Sequence, residues 1–368
     1  MLKTFFLSKL EENPYQTLLS KSLQKYSVQI KGGEYQLQSI YFIFEVLKNG
    51  KPDIFHIHDV HYFLQGKKYP VHPLLDRDEL RRPLKFIIFI LQILILKVLG
   101  VKIIWTVHEW LDKYDNGRQN IPKIIVKIVT NLFDGIITHS ELTKKQVIQE
   151  TDEINSSKVH VVPHGNYIGF YQNTVTGEAA RRKLNISPDK LVFLLFGNIY
   201  SNKGFLKAID DYHQLTSVGS GDTFLLIVGH VAEQSMYQQI YERTIGDNQI
   251  KFVPHKVTNN DIQNYMNACD CVILPYKIFT TSGVALLSMS FGKACIAPNV
   301  GFFQETFDSG GAFLYNPADN KGLLNAMRQS IKMKSKLLSM GEYNYRKAQQ
   351  WNWDDVGELT FKIYRHYL

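Results

Sequence analysis

Between residues 274 and 301 an apolar run stops at Pro275, and a hydroxyl-rich turn, Thr280-Thr281-Ser282-Gly283, follows. A second apolar segment then reaches Phe291 and passes through Gly292-Lys293 into Ala294-Cys295-Ile296-Ala297-Pro298. This punctuation reads as a buried strand over 271–274, a helix capped by Ser282 and starting near Gly283, and another strand. The turn therefore sits at the carboxyl end of a strand and the amino end of a helix. Unpaired backbone amides and the positive end of the helix dipole meet there, a place suited to a phosphate or diphosphate. Ser282 as an ordinary helix cap explains the same spacing.

The alternation extends along the chain. Strand-like runs occur at 52–61, 101–107, 135–138, 159–162, 191–196, 224–228 and 250–253, separated by helical patterns at 14–23, 121–133, 141–150 and 205–215. Strands that alternate with helices imply parallel βαβ units and an α/β fold. With 368 residues the chain can bury two cores. The expected domains are 1–165 and 188–345, joined by a link at 166–187. A terminal segment, 346–368, is expected to return to the first domain as a helix with Val356, Leu359, Ile363 and Tyr364 on one face.

The net charge of +8 suggests an anionic partner: a nucleotide diphosphate, acidic lipid headgroups or nucleic acid. The basic residues are scattered and no zinc-finger or aromatic RNA-binding signature appears, so nucleic acid is not expected. No G-x-G-x-x-G follows a strand, which disfavours a dinucleotide dehydrogenase. Cys269, Cys271 and Cys295 are an odd set in presumed core strands, so no disulfide framework is expected and a reducing cytoplasm fits. Lys9, Glu11 and Glu12 interrupt the amino terminus before a signal-peptide core forms. Residues 86–99 are the most hydrophobic stretch, flanked by Arg81, Arg82, Lys85 and Lys97. Two readings stay open for it: a buried helix, and a basic-rimmed helix that docks on an anionic membrane surface.

In the second half, a loop carrying Gly197, Lys203 and Gly204 follows the first strand, and the Thr281-Ser282-Gly283 turn follows a later one. In a doubly wound sheet both face one crevice, where Lys203 would neutralise a diphosphate held by the turn amides. A solvated Lys-Gly loop is the plainer reading of the same residues. His56, His58 and His61 cluster closely in the first half, but no fourth ligand stands out, and no metal is expected.

In order along the chain stand Asn13-Pro14-Tyr15, Ile57-His58, Trp105-Thr106-Val107-His108, Thr138-His139-Ser140 and Val162-Pro163-His164-Gly165. They are followed by Phe196-Gly197, Lys203-Gly204, Ala268-Cys269-Asp270 through Leu274-Pro275-Tyr276, Ser282-Gly283, Gly292-Lys293, and Gly301 with Glu305. This ordered set resembles the GT-B glycosyltransferases, particularly the bacterial enzymes related to family 4. The resemblance implies two Rossmann-like, doubly wound domains facing across a cleft. It also implies a donor site over Gly197, Asn198, Lys203, Gly204, Tyr276, Thr281, Ser282, Gly283 and Glu305. It makes His108 the catalytic candidate, as a hydrogen-bond partner of the sugar or, in an inverting reaction, a base toward the acceptor hydroxyl. Asn13, His58, His139 and His164 are implied to line the acceptor side or hold its loops. Two departures stand out. Asn198 occupies a place where an arginine is usual, and Phe279 and Leu287 occupy places where such enzymes often carry two glutamates eight positions apart.

The expected function is transfer of a sugar from a nucleotide diphosphate donor to a lipid-linked acceptor in cell-surface polysaccharide assembly. The enzyme is expected to be metal-independent, cytoplasmic and peripheral on the membrane. A nucleotide-sugar epimerase of the same architecture, or a non-catalytic nucleotide-binding scaffold, remain as alternatives.

Overall fold

The structure is a computed structural model that describes the chain except for residues 8–12, 33–40, 49, 61–62, 64–77, 111–121, 152–154, 218 and 220–221, and the side chains of 78–83. It divides into two compact units, Met1–Gly165 with Asn352–Leu368, and Asn166–Trp351.

In the first unit six strands, β1 (Leu2–Phe6), β2 (Val28–Gly32), β3 (Ile54–Ile57), β4 (Lys102–Thr106), β5 (Gly135–Thr138) and β6 (Val159–Val161), pair in the order β2-β1-β3-β4-β5-β6. Every pairing is parallel. Central strands buried on both faces are buried at every position, as β3 is, although it includes the polar His56, whereas the edge strand β2 alternates. Residues such as Phe55, Ile103, Trp105 and Ile136 project into a core under the helices α2 (Ile43–Lys48), α3 (Asp78–Val98), α4 (Lys123–Leu132) and α5 (Glu141–Glu150). Ile54, Ile104 and Ile137 project the other way, onto α1 (Pro14–Gln24) and the C-terminal helix Trp353–Tyr367. That terminal helix is seated where Gly357 lets its backbone meet Ser22: a Cβ at 357 would lie 2.0 Å from Ser22 Oγ.

The second unit repeats the plan. Its strands are β7 (Leu191–Phe196), β8 (Thr223–Val228), β9 (Ile250–Val253), β10 (Cys271–Ile273), β11 (Ala294–Pro298) and β12 (Ala312–Tyr315), ordered β12-β11-β10-β7-β8-β9 and all parallel. Its helices are α6 (Gly177–Leu184), α7 (Phe205–Thr216), α8 (Gln234–Thr244), α9 (Ile262–Ala268), α10 (Gly283–Ser290), α11 (Gly301–Thr306), α12 (Gly322–Lys332) and α13 (Leu337–Gln349).

Several expectations change. Residues 166–187 lie inside the second unit rather than between the two, because α6 is packed in place: the Arg181 guanidinium reaches the Ala268 carbonyl and pairs with Asp270 at 2.7 Å. Strand β3 ends at Ile57, short of the expected His61, which lies outside the described residues. Leu359 is exposed; the buried face of the terminal helix is Val356, Gly357, Thr360, Ile363 and Tyr364, whose centre leaves Leu359 about 100° to one side at 100° per residue. Strands β2 and β12 and helices α2, α8, α9 and α11 to α13 complete the fold without a prior sequence reading.

Helix α3 is neither wholly buried nor simply basic-rimmed. Phe89, Gln92, Ile93 and Leu96 face the core, while Ile87, Leu91, Leu94, Ile95 and Val98 are exposed. Lys85 is buried, and Lys97 pairs with Asp134 at 3.0 Å and also donates to the Leu132 carbonyl. Those two lysines therefore do not form a free basic rim, and Arg81 and Arg82 lie outside the described side chains.

Candidate functional site

The strand order of the second unit reverses between β7 and β10: β8 and β9 lie to one side, β11 and β12 to the other. The loops leaving the carboxyl ends of β7 and β10 therefore emerge side by side, the position at which open parallel sheets bind ligands. They are held together closely. The Lys277 amide donates to the Asn202 carbonyl at 2.9 Å. Gly204, with φ +70°, lies so near the second loop that a Cβ would stand 1.9 Å from the Pro275 oxygen. Gly197, with φ +110°, presses against Val284 on α10, and its own carbonyl occupies the space a Cβ on Gly229 would need.

At this junction Ser282 caps α10, its Oγ accepting from the Ala285 amide at 3.2 Å. The Lys203 ammonium rests 3.9 Å from the centre of the buried Tyr276 ring, a cation–π contact that fixes its direction. Burial pushes the Tyr276 hydroxyl up to about 12, against a hydrogen bond with Ser282, so it remains a neutral phenol. Asn198 is exposed beside these groups. Thr281 Oγ1 and Asn202 Oδ1 are buried and have no hydrogen-bond partner among the described residues. Six predicted donor-site residues, Gly197, Lys203, Gly204, Tyr276, Ser282 and Gly283, thus belong to two interlocked loops and one helix start. Glu305 is on α11, exposed. Phe279, where a carboxylate is usual, stacks on Phe303 at 4.3 Å and touches Tyr276, and Leu287 is buried. Aromatic packing occupies the first of those places, a difference no propensity signal in the sequence reveals.

The histidines of the first unit form a separate constellation. His58 follows β3, His108 follows β4, His139 follows β5 and His164 follows β6, so one imidazole stands near the carboxyl end of each of four successive strands. The buried Tyr15, near the start of α1, contacts all four rings, with centroid distances of 5.8, 4.6, 5.3 and 4.9 Å in that order. Asn13 caps that helix, accepting from the Tyr15 amide at 3.0 Å. His58 Nδ1 is 3.2 Å from His108 Nε2, and His108 Nδ1 is 3.4 Å from His139 Nε2. His139 Nδ1 donates to the Val162 carbonyl at 2.9 Å, and His164 Nδ1 to that of Gly165 at 2.7 Å. Burial holds His139 down to about 3 and His164 to about 4; burial and the nearby His56 and His139 hold His58 well below the ordinary imidazole value. His56 is spent internally, between Tyr364 Oη at 2.6 Å and Thr106 Oγ1 at 2.7 Å. Among the described residues no group of three or more His, Cys, Asp or Glu side chains could hold a metal ion. The three cysteines are buried and unpaired with one another, and burial pushes the Cys269 thiol up to about 12.

Residues 177–347 match the family described as glycosyl transferases group 1, and residues 85–166 match glycosyltransferase family 4. A GDP-mannose:glycolipid 4-beta-D-mannosyltransferase of Xanthomonas campestris is 22% identical over 85% of this chain and 79% of its own length. A lipopolysaccharide 1,2-N-acetylglucosaminetransferase of Salmonella typhimurium is 22% identical over 66% of this chain and 70% of its own. Among solved structures, Anabaena HepE in complex with UDP and glucose superimposes with a TM-score of 0.71 at 16% identity, covering 98% of this chain and 99% of that one. Two parallel six-stranded sheets with flanking helices define the GT-B class. Within that class the chain is a glycosyltransferase of the family 4 type, and the epimerase and scaffold readings are not favoured.

Proposed function

We propose that the protein transfers a hexose from a nucleotide diphosphate sugar to a lipid-linked saccharide in cell-surface polysaccharide assembly, on the cytoplasmic face of a membrane. The observation that carries the donor assignment is the interlock of the β7 and β10 loops with Lys203 and the α10 amino terminus beside it. The leaving group is a nucleoside diphosphate, so stabilising its developing charge is the main catalytic task. In this reading the amides at Ser282 and Gly283 and the glycine-lined turn at Gly197 receive the phosphates. Lys203 supplies the compensating charge, with no metal ion required. Asn198 and Thr281 contact the donor, and Glu305 is kept as a donor-side carboxylate. His108 is the catalytic candidate of the first unit, with Asn13, His58, His139 and His164 assigned to the acceptor side. Lys203→Ala should weaken nucleotide-sugar binding by about 1 to 3 kcal/mol, as loss of a charge-assisted contact does; unchanged affinity in calorimetry removes Lys203 from the site.

The membrane reading rests on the apolar outer face of α3, continued by exposed Ile124 and Ile128 on α4 and Phe44 and Leu47 on α2. The three helices adjoin: the Ile43 amide donates to Gln92 on α3, and Lys97 reaches the end of α4. Among the described residues no helix is long and apolar enough to cross a membrane, so the contact proposed is a shallow one. Lys123 and Lys48 are exposed beside this face, whereas Lys97 is engaged within the fold. Insertion of apolar side chains therefore dominates over charge. Leu91→Ser with Ile95→Ser should leave the protein folded, since about half of each side chain already meets solvent, and release it from vesicles in flotation assays. Retained vesicle binding by that pair refutes the assignment.

A further inference from the structure

The imidazoles of His58, His108 and His139 form a chain whose proton positions are fixed from one end. A ring nitrogen facing a carbonyl must carry a proton, so His139 Nδ1 is N–H toward Val162 and, in the neutral ring, its Nε2 is a bare acceptor. The nitrogen of His108 that meets this acceptor, Nδ1, must then donate. A neutral His108 therefore has a bare Nε2, which accepts from His58 Nδ1, and His58 Nε2 is left without a proton. The opposite tautomer at His108 would set two bare nitrogens, its Nδ1 and His139 Nε2, against each other, or would require a second proton on His139, which burial opposes. At the far end of the chain His58 Nε2 is fully buried and has no partner among the described residues.

We propose that His139 and His58 are positioning residues that lock His108 as the Nδ1–H tautomer, its Nε2 being the lone-pair acceptor that His58 Nδ1–H meets. This rests on the reading that His108 is the catalytic candidate. A His108 set in this way accepts a hydrogen bond from a hydroxyl group, of donor sugar or acceptor, once that hydroxyl replaces the His58 N–H. It does not donate through Nε2 to a phosphate oxygen or a carbonyl. The selectivity lies in the tautomer, which Val162 fixes two rings away.

The test is nitrogen-15 NMR of the whole protein labelled at histidine. Long-range correlations from the ring carbon-bound protons distinguish N–H from bare nitrogens, and signals are assigned by single substitutions. Near neutral pH His58, His108 and His139 should each show a protonated Nδ1 and a bare Nε2. An Nε2–H His108, or an imidazolium there, overturns the proposal. In His139→Phe, which removes the acceptor for His108 Nδ1, the His108 proton should move in whole or in part to Nε2, and kcat should fall about tenfold or more with donor KM within about twofold. A His108 tautomer unchanged by this substitution also overturns it. A shifted tautomer with unchanged kcat leaves the chain standing and instead refutes the catalytic assignment of His108. If His139→Phe fails to fold, the wild-type spectrum still decides the tautomer.

Discussion

Lowering the pH from about 7.5 to about 5 should strongly destabilise the first unit, because histidines of its sheet are buried neutral. His56 and His139 are held down to about 3 and His164 to about 4, each by burial, and His58 is lowered in the same sense. In an unfolded chain each returns to about 6.5. The sign follows from the depressed folded values. Below 6.5 the unfolded state binds protons that the folded state refuses, so these groups' contribution is complete above 6.5 and is lost as the pH falls toward the folded values. At pH 5 an unfolded imidazole gains about 2 kcal/mol that a folded one does not, from RT ln(1 + 10^1.5). Three such groups withdraw on the order of 6 kcal/mol, a large share of the roughly 5 to 15 kcal/mol that holds a typical protein folded, and His58 adds to it. Urea titrations followed through the stacked Trp105–Trp110 pair report this unit. Between about pH 6 and pH 5 the unfolding free energy should fall by roughly 4 kcal/mol per pH unit, the slope for three protons. A slope under about 1.4 kcal/mol per unit, fewer than one proton, would refute the claim that the imidazoles stay neutral in the folded state.

Two substitutions probe the donor loops. Gly204→Ala places a Cβ against the Pro275 oxygen in a left-handed backbone, so it should destabilise the second unit by at least about 1 to 3 kcal/mol and depress nucleotide-sugar binding; an unchanged melting temperature would show that the two loops separate without cost. Ser282→Ala removes the α10 cap and the Tyr276 partner and should cost about 1 kcal/mol in denaturant unfolding, with donor affinity lowered as well; stability and affinity both at wild-type level would remove the cap from the account.

Local order was legible residue by residue. The apolar runs at β7 and β10, the breaks at Gly197 and Pro275, and the caps Asn13, Ser140 and Ser282 are properties of short segments, set by backbone sterics and by orphan amides that a nearby side chain can satisfy. Periodicity alone announced parallel βαβ units. Other features come from partners distant in sequence. Strand order makes neighbours of β7 and β10, nearly eighty residues apart, and so converts two ordinary loops into one interlocked site. The stack of Phe279 on Phe303 is invisible in either residue's own context. Which side of α3 meets water was open because its apolar residues nearly encircle the helix; the core it covers selects Phe89, Ile93 and Leu96 and leaves Leu91 and Ile95 outside. The imidazoles make the contrast plainest. Each is a single letter at the end of its own strand, but the proton on His108 is dictated by a carbonyl at Val162, because hydrogen-bond complementarity passes along contacts in space and not along the chain.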